Sequence, residues 1–207
     1  MANTPTIPDI VIGRLPIYLR ALNHMILDEK DYTSSHELGE RLGISSAQIR
    51  KDLSHFGEFG KQGTGYNVRF LYDQIRQILQ VDRHWPMAVV GIGDLGRAVA
   101  NYRGFQPRGF LVTCLFDNDA DKINEKINDL EVLPIDRMKD EIQRQSIQVA
   151  MIAVPAEAAQ AVADQLVEAG VRAILNYAPI TLVVPPTVHV QHIDPVVHLQ
   201  HMAYYLR

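Results

Sequence analysis

The chain has 207 residues, 47% of them hydrophobic and 21% charged, with a formal net charge of −4. No apolar run approaches the ~18–20 residues of a membrane helix, and the first residues lack the basic start and apolar core of a signal peptide, so a cytoplasmic globular protein is expected. The single cysteine, Cys114, excludes intramolecular disulfides, thiolate metal clusters and Cys-x-x-Cys redox chemistry, and its apolar strand context reads as a buried, inert thiol.

Residues 1–84 carry ten Lys/Arg against ten Asp/Glu, and residues 85–207 carry ten against fourteen. Neither half is basic, so any nucleic-acid surface must be argued locally. Leu15 to Leu27 reads as a helix with Leu15, Leu19, Leu22 and Ile26 on one face, and with Pro16 in the first turn, where its missing N–H is not required. Ser34 and Glu37 make a capping box for a short helix carrying Leu38 and Leu42. Gly43 ends that helix, and Ser45 caps another that buries Ile49 and Leu53.

Two short helices joined by a Gly-x-Ser turn form a helix-turn-helix, over about residues 17–56, whose second helix would enter a major groove. On that helix Ser46, Gln48, Arg50, Lys51 and His55 stay largely exposed; its polar start can approach bases and phosphates, and Arg50 and Lys51 supply charge. The glycine-rich stretch at about 57–68, with Lys61 and Tyr66, reads as a hairpin wing. There Gly63 and Gly65 let the backbone come close to a phosphate or enter a minor groove. Leu71, Ile75, Ile78 and Leu79 mark one more amphipathic helix, and the polar link Val81–Pro86 places the domain boundary. Residues 1–84 are thus expected to be a winged-helix domain, 85–192 a Rossmann domain and 193–207 a terminal helix.

The apolar run Met87–Val90 leads into Gly91-Ile92-Gly93-Asp94-Leu95-Gly96 and then a helix. This is the G-x-G-x-x-G layout of a dinucleotide turn: Gly91 allows the tight turn, Gly93 the close approach of a pyrophosphate, and Gly96 helix–strand packing. The pyrophosphate would sit on the helix N-terminus. The next apolar run, Phe110–Phe116, ends at Asp117, placed to accept hydrogen bonds from the adenosine ribose and to repel a 2′-phosphate, which favours NAD(H) over NADP(H). Residues 123–133 read as irregular, Met138–Gln145 as a helix, Gln148–Val154 as a strand, Glu157–Ala169 as a helix and Ala173–Asn176 as a strand. That alternation implies a doubly wound parallel sheet, with Val154, Pro155, Asn176 and Ala178 beside the cofactor at the strand ends. His189, His192, His198 and His201 offer no convincing metal spacing and read as surface or packing residues. The end segment from Asp194 is too apolar to leave in water, so it packs on its own chain or on a partner.

A winged helix followed by a dinucleotide fold, with no evident catalytic set, resembles the Rex family of redox-sensing transcriptional repressors. The resemblance runs over almost the whole chain. It is carried by Arg14-Leu15-Pro16, Gln48-Ile49-Arg50-Lys51-Asp52-Leu53, the wing from Phe56-Gly57 to Gly65-Tyr66, the glycine turn, and Leu175-Asn176-Tyr177-Ala178-Pro179. It implies a homodimer that binds an inverted-repeat operator when NAD⁺-bound or free and releases it when NADH rises. It also implies a C-terminal helix exchanged between subunits, DNA contacts that include Arg14, and polar contacts of Arg20, Tyr102 and Asp194 that couple the nicotinamide pocket to the DNA-binding domains. An aromatic residue often follows the family's equivalent of Asp194; here it is Pro195, which alters the pocket wall.

Two rivals remain. An NAD-dependent oxidoreductase would need a substrate domain, for which about 120 residues after Trp85 leave no room. A regulator that uses the same fold for the adenosine part of coenzyme A is opposed only moderately by Asp117.

Overall fold

A computed structural model describes residues 7–206, apart from Gln62, and gives Lys61 as backbone only. The chain divides between Arg83 and His84 into two units, each with its own core.

In the first unit, helix α1 spans Asp9–Leu27. It starts well before Leu15, so Pro16 lies in its interior and forgoes the bond to the Ile12 carbonyl rather than sitting harmlessly in a first turn. Its buried face is Val11, Leu15, Tyr18, Leu22 and Met25, rotated from the expected Leu15–Leu19–Leu22–Ile26 stripe; Leu19 and Ile26 only flank the core. Contrary to the reading of the sequence, α1 is long and apolar enough to cross a membrane, but those core contacts account for its apolar side.

Strand β1 (Tyr32–Thr33) leads to α2 (Ser35–Leu42) and α3 (Ser46–Ser54). Both helices start on a serine: Ser34 Oγ accepts from Glu37 N at 3.1 Å and Ser45 Oγ from Gln48 N at 3.2 Å. Only half of the expected capping box forms, because the Glu37 carboxylate binds Lys30 and Thr33 instead. The tight joint also needs Gly39, where a Cβ would lie 2.5 Å from the Ile44 carbonyl oxygen. Strands β2 (Gly60–Lys61) and β3 (Gly65–Asn67) form the wing hairpin, and β1 adds a third strand in the order β1-β3-β2. Helix α4 (Val68–Ile78), capped by Asn67, buries Val68, Leu71 and Ile75 against α1.

The second unit is a seven-stranded sheet in the order β10-β9-β8-β4-β5-β7-β6. Chain order runs β4 (Trp85–Val90), α5 (Asp94–Ala100), β5 (Phe110–Asp117), β6 (Lys126–Ile127), β7 (Leu130–Pro134), α6 (Met138–Arg144), β8 (Val149–Ile152), α7 (Ala156–Ala169), β9 (Ala173–Asn176), β10 (His189–His192) and α8 (Pro195–Ala203). Every pairing is parallel except β6 with β7. Alternation along β4 sends Ala88 and Val90 into a core with α6 and α7, and Met87 and Val89 into one on the opposite face with Val99 and Ala100 of α5. The stretch expected to be irregular, 123–133, holds the β6–β7 hairpin, turned by Asn128-Asp129 with Asn128 at φ 54°. Edge strand β10 was not foreseen. Asp194 caps α8 by accepting from Val196 N at 2.9 Å, and no residue of α8 is buried.

Candidate nucleotide and DNA-recognition sites

At the C-terminal ends of β4, β5 and β8 lies a cleft of about 770 Å³ lined by Gly91, Gly93, Asp94, Leu95, Asp117, Val154 and Pro155. Gly91 has φ 91°, and a Cβ there would meet the Ala153 carbonyl oxygen at 2.5 Å; one on Gly96 would meet the Gly91 carbonyl oxygen at 1.8 Å. The backbone therefore requires both residues. Gly93 is different: a Cβ on it would have nothing within 4 Å, so the fold leaves space at that point of the turn. Ile92 is buried beneath the turn.

Asp117 closes the cleft. Its Oδ2 accepts from Ile92 N at 2.6 Å and its Oδ1 from Asp119 N at 2.9 Å. Burial pushes this carboxyl up, but those two amides and Lys122 outweigh it and hold the group below the usual carboxylate range. Lys122 Nζ lies 3.5 Å from Asp117 and 3.2 Å from Asp119. Sequence reasoning missed Lys122, whose position three residues after Asp119 was the available signal; it offsets part of the repulsion Asp117 would exert on a 2′-phosphate. Asn176 and Ala178 do not line the cleft. The buried Asn176 amide ties its own turn, donating to the carbonyls of Ala178 and Ile180 at 3.1 and 3.0 Å and accepting from Ala178 N at 3.0 Å.

In the first unit, Arg50, Lys51 and His55 are exposed on α3, whereas Ser46 and Gln48 are half-buried. Asp52, on the buried side of the same helix, is wholly enclosed. Its Oδ2 accepts from Arg14 Nε at 2.6 Å and Tyr18 Oη at 2.6 Å, and its Oδ1 from Arg14 Nη2 and Gln48 Nε2, each at 2.7 Å. Burial pushes the Asp52 carboxyl up, yet these bonds prevail and keep it ionised to lower pH than usual; the same enclosure drives the Tyr18 hydroxyl well above its ordinary value. Arg14 is thus engaged inside the unit.

A groove of about 1130 Å³ runs between α3 and the wing, touched by Arg50, Gly63, Gly65 and Tyr66. Gly63 has φ 88° and open space around it. At Gly65 a Cβ would strike the Thr33 carbonyl oxygen at 2.3 Å, so this glycine makes room for β1 rather than for an outside group. The Lys61 side chain lies outside the described residues. Arg20 is exposed on α1, Tyr102 is half-exposed and edge-on to Phe105 with ring centroids 4.8 Å apart, and Asp194 caps α8. Among the described residues no three His, Cys, Asp or Glu side chains gather where a metal ion could sit.

A family model described as "CoA binding domain" matches residues 82–180, and one described as "Putative DNA-binding protein N-terminus" matches residues 6–54. Proteins named redox-sensing transcriptional repressor Rex are similar over nearly the whole length. The one from Chloroflexus aurantiacus is 53% identical over 96% of this chain and 94% of its own, and that of Carboxydothermus hydrogenoformans 45% over 97% of each. Among solved structures, a Rex-family repressor termed RSP superposes with a TM-score of 0.92 when bound to β-NAD⁺ and operator DNA, at 39% identity over 96% of this chain and 92% of that one. Its complex with β-NADH gives 0.89, at 36% identity over 97% and 94%. Fold and sites together define a two-domain regulator, a winged helix-turn-helix followed by a Rossmann-like nucleotide fold. Within that class, the chain belongs to the Rex family of redox-sensing transcriptional repressors.

Proposed function

We propose that this protein represses transcription by binding an inverted-repeat operator as a homodimer, either free or with NAD⁺, and that NADH releases it. The observation that carries the nucleotide half is Gly93: the protein itself places nothing where its side chain would be, in a turn whose other two glycines are sterically required. A pyrophosphate laid along the turn fills that space. Asp117 would hold the ribose, with Asp94, Leu95, Val154 and Pro155 around the ligand, the buried Ile92 bracing the turn from beneath through its amide bond to Asp117, and Asn176 and Ala178 fixing the turn beyond β9. Ser46, Gln48, Arg50, Lys51, His55, Lys61 and Gly63 would face DNA, while Gly65 and Tyr66 shape the wing. Arg20, Tyr102 and Asp194 would couple the two functions. The protein is a cytoplasmic regulator, without a catalytic residue.

NAD⁺ and NADH share adenosine and pyrophosphate, so the turn and Asp117 cannot distinguish them; discrimination falls to the nicotinamide, charged when oxidised and neutral when reduced. A ~100-fold shift in DNA occupancy needs about 2.7 kcal/mol of differential affinity, within the usual range of allosteric coupling. The apolar, exposed α8, with Val196, Val197, Leu199 and Met202, supports exchange of this helix between subunits. Pro195, which starts α8 where the family often has an aromatic residue, would give the nicotinamide pocket a smaller wall.

The test is a mobility shift on an inverted-repeat promoter fragment with NADH titrated against fixed NAD⁺. Release by micromolar NADH, lost in Asp117→Ala, supports the reading; binding indifferent to NADH refutes it. The match to a CoA-binding family model favours one second reading, a coenzyme A adenosine in the same cleft. Displacement of bound NADH by coenzyme A would decide for it.

A further inference from the structure

Gln48 stands in the first turn of α3, the part of a recognition helix that reaches base edges. A glutamine amide normally presents a donor and an acceptor and can flip between them. Here it cannot. Its Nε2 donates to Asp52 Oδ1 at 2.7 Å, and an ionised carboxylate accepts only. Asp52 is itself fixed, since Arg14 grips both of its oxygens and Tyr18 adds a third bond. Reversing the amide would set Gln48 Oε1 against a buried anion. Among the described residues Oε1 has no partner, and Gln48 as a whole is half-buried rather than enclosed.

We infer that Asp52, clamped by Arg14 and Tyr18, is a positioning residue that presents Gln48 to DNA as an oriented acceptor, selecting a base that offers an amino group in the major groove. The bases that do so are adenine, through N6, and cytosine, through N4; guanine and thymine offer acceptors at the corresponding positions. This rests on the proposed operator binding by α3, and it recasts Arg14, suggested by the family resemblance as a DNA contact, as part of the clamp behind the helix.

The experiment measures affinity of the full-length protein for an operator in which each base pair of the half-site is replaced in turn, at several salt concentrations. Wild type should prefer adenine or cytosine at one position per half-site. Gln48→Ala should lose about tenfold of discrimination there and nowhere else, with the salt dependence unchanged because no charge was removed. Tyr18→Phe, which can reach Gln48 only through Asp52, should relax the same position more weakly. Asp52→Asn, with its folding checked by NADH binding and thermal melting, supplies an amide that can donate to Oε1; it should let Gln48 turn and extend the preference to guanine or thymine.

A uniform loss on all sequences in Gln48→Ala, an unaltered preference at every position, or a wild-type preference for guanine or thymine at the position Gln48 controls would overturn the inference while leaving operator binding intact. If wild type binds no inverted repeat, the repressor reading itself fails and this inference goes with it.

Discussion

Asp117, the last residue of β5, receives the amide of Ile92 from the turn after β4 at 2.6 Å, so the acid at the end of one strand holds the glycine turn at the end of its neighbour. One side chain thereby fixes the shape of the turn and, in the function proposed above, would also hold the ribose. Asp117→Ala should weaken NAD⁺ and NADH together, by about 100-fold, because a buried amide loses its acceptor and the ribose its partner. The ratio of the two affinities should stay the same, since only the nicotinamide differs between them. Titration calorimetry with both nucleotides checks this, and Asp117→Asn, which keeps an acceptor for Ile92, should recover part of the loss.

The three glycines of the turn should separate by experiment. Gly91→Ala and Gly96→Ala should each destabilise the second unit by about 2 kcal/mol or more, since a Cβ would press on backbone 2.5 and 1.8 Å away. Gly93→Ala should leave the melting temperature close to wild type and still abolish nucleotide binding. Thermal melts with and without NADH distinguish the cases.

The clamp on Asp52 predicts a particular response to pH. Its folded-state pKa lies below its unfolded value, so the stability it contributes is complete above about pH 4 and is lost as pH falls through the folded value. Tyr18 acts at the other end. Its folded value is raised, so its contribution is present below about pH 10 and disappears as pH rises through that value. The protection of α1 and α3 amides against hydrogen exchange, taken relative to the intrinsic rate at each pH, should therefore fall in acid, and Asp52→Asn should flatten that acid limb while costing about 3–5 kcal/mol at neutral pH.

Removing residues 195–207 takes away a helix that contributes nothing buried to its own unit. The shortened protein should keep the melting behaviour of its cores and sediment as a monomer, with operator affinity reduced at least tenfold because two half-sites no longer act together.

The local features of the fold were legible because their causes are local. Ser34 and Ser45 cap helices three residues wide of their bonding partners, Gly91 and Gly96 mark the turn, and β9 follows from an apolar run after Gly170. The buried state of Asp52 was hidden, because the arginine that permits it lies 38 residues away. The face of α1 was misjudged for the same reason: Tyr18 can enter the core only because its hydroxyl finds that carboxylate. The Asn128-Asp129 turn is a local signal, but the strands it joins are only two and five residues long, too short to show a period of their own. At the sites, Asp117 and the glycine turn could be seen, while Lys122 and the internal engagement of Arg14 and Gln48 depend on contacts that no spacing rule describes.

The pairing of β4 has a consequence for how the protein is made. It lies between β5 and β8, so the middle of the sheet cannot close until Ile152 has been synthesised, and parallel pairings across such distances form slowly. The helix-turn-helix unit, by contrast, ends at Arg83. On the ribosome the operator-reading half is therefore complete while the redox-sensing half is still an unclosed sheet. A chain arrested or clipped in between would leave a folded reader with no sensor attached to it.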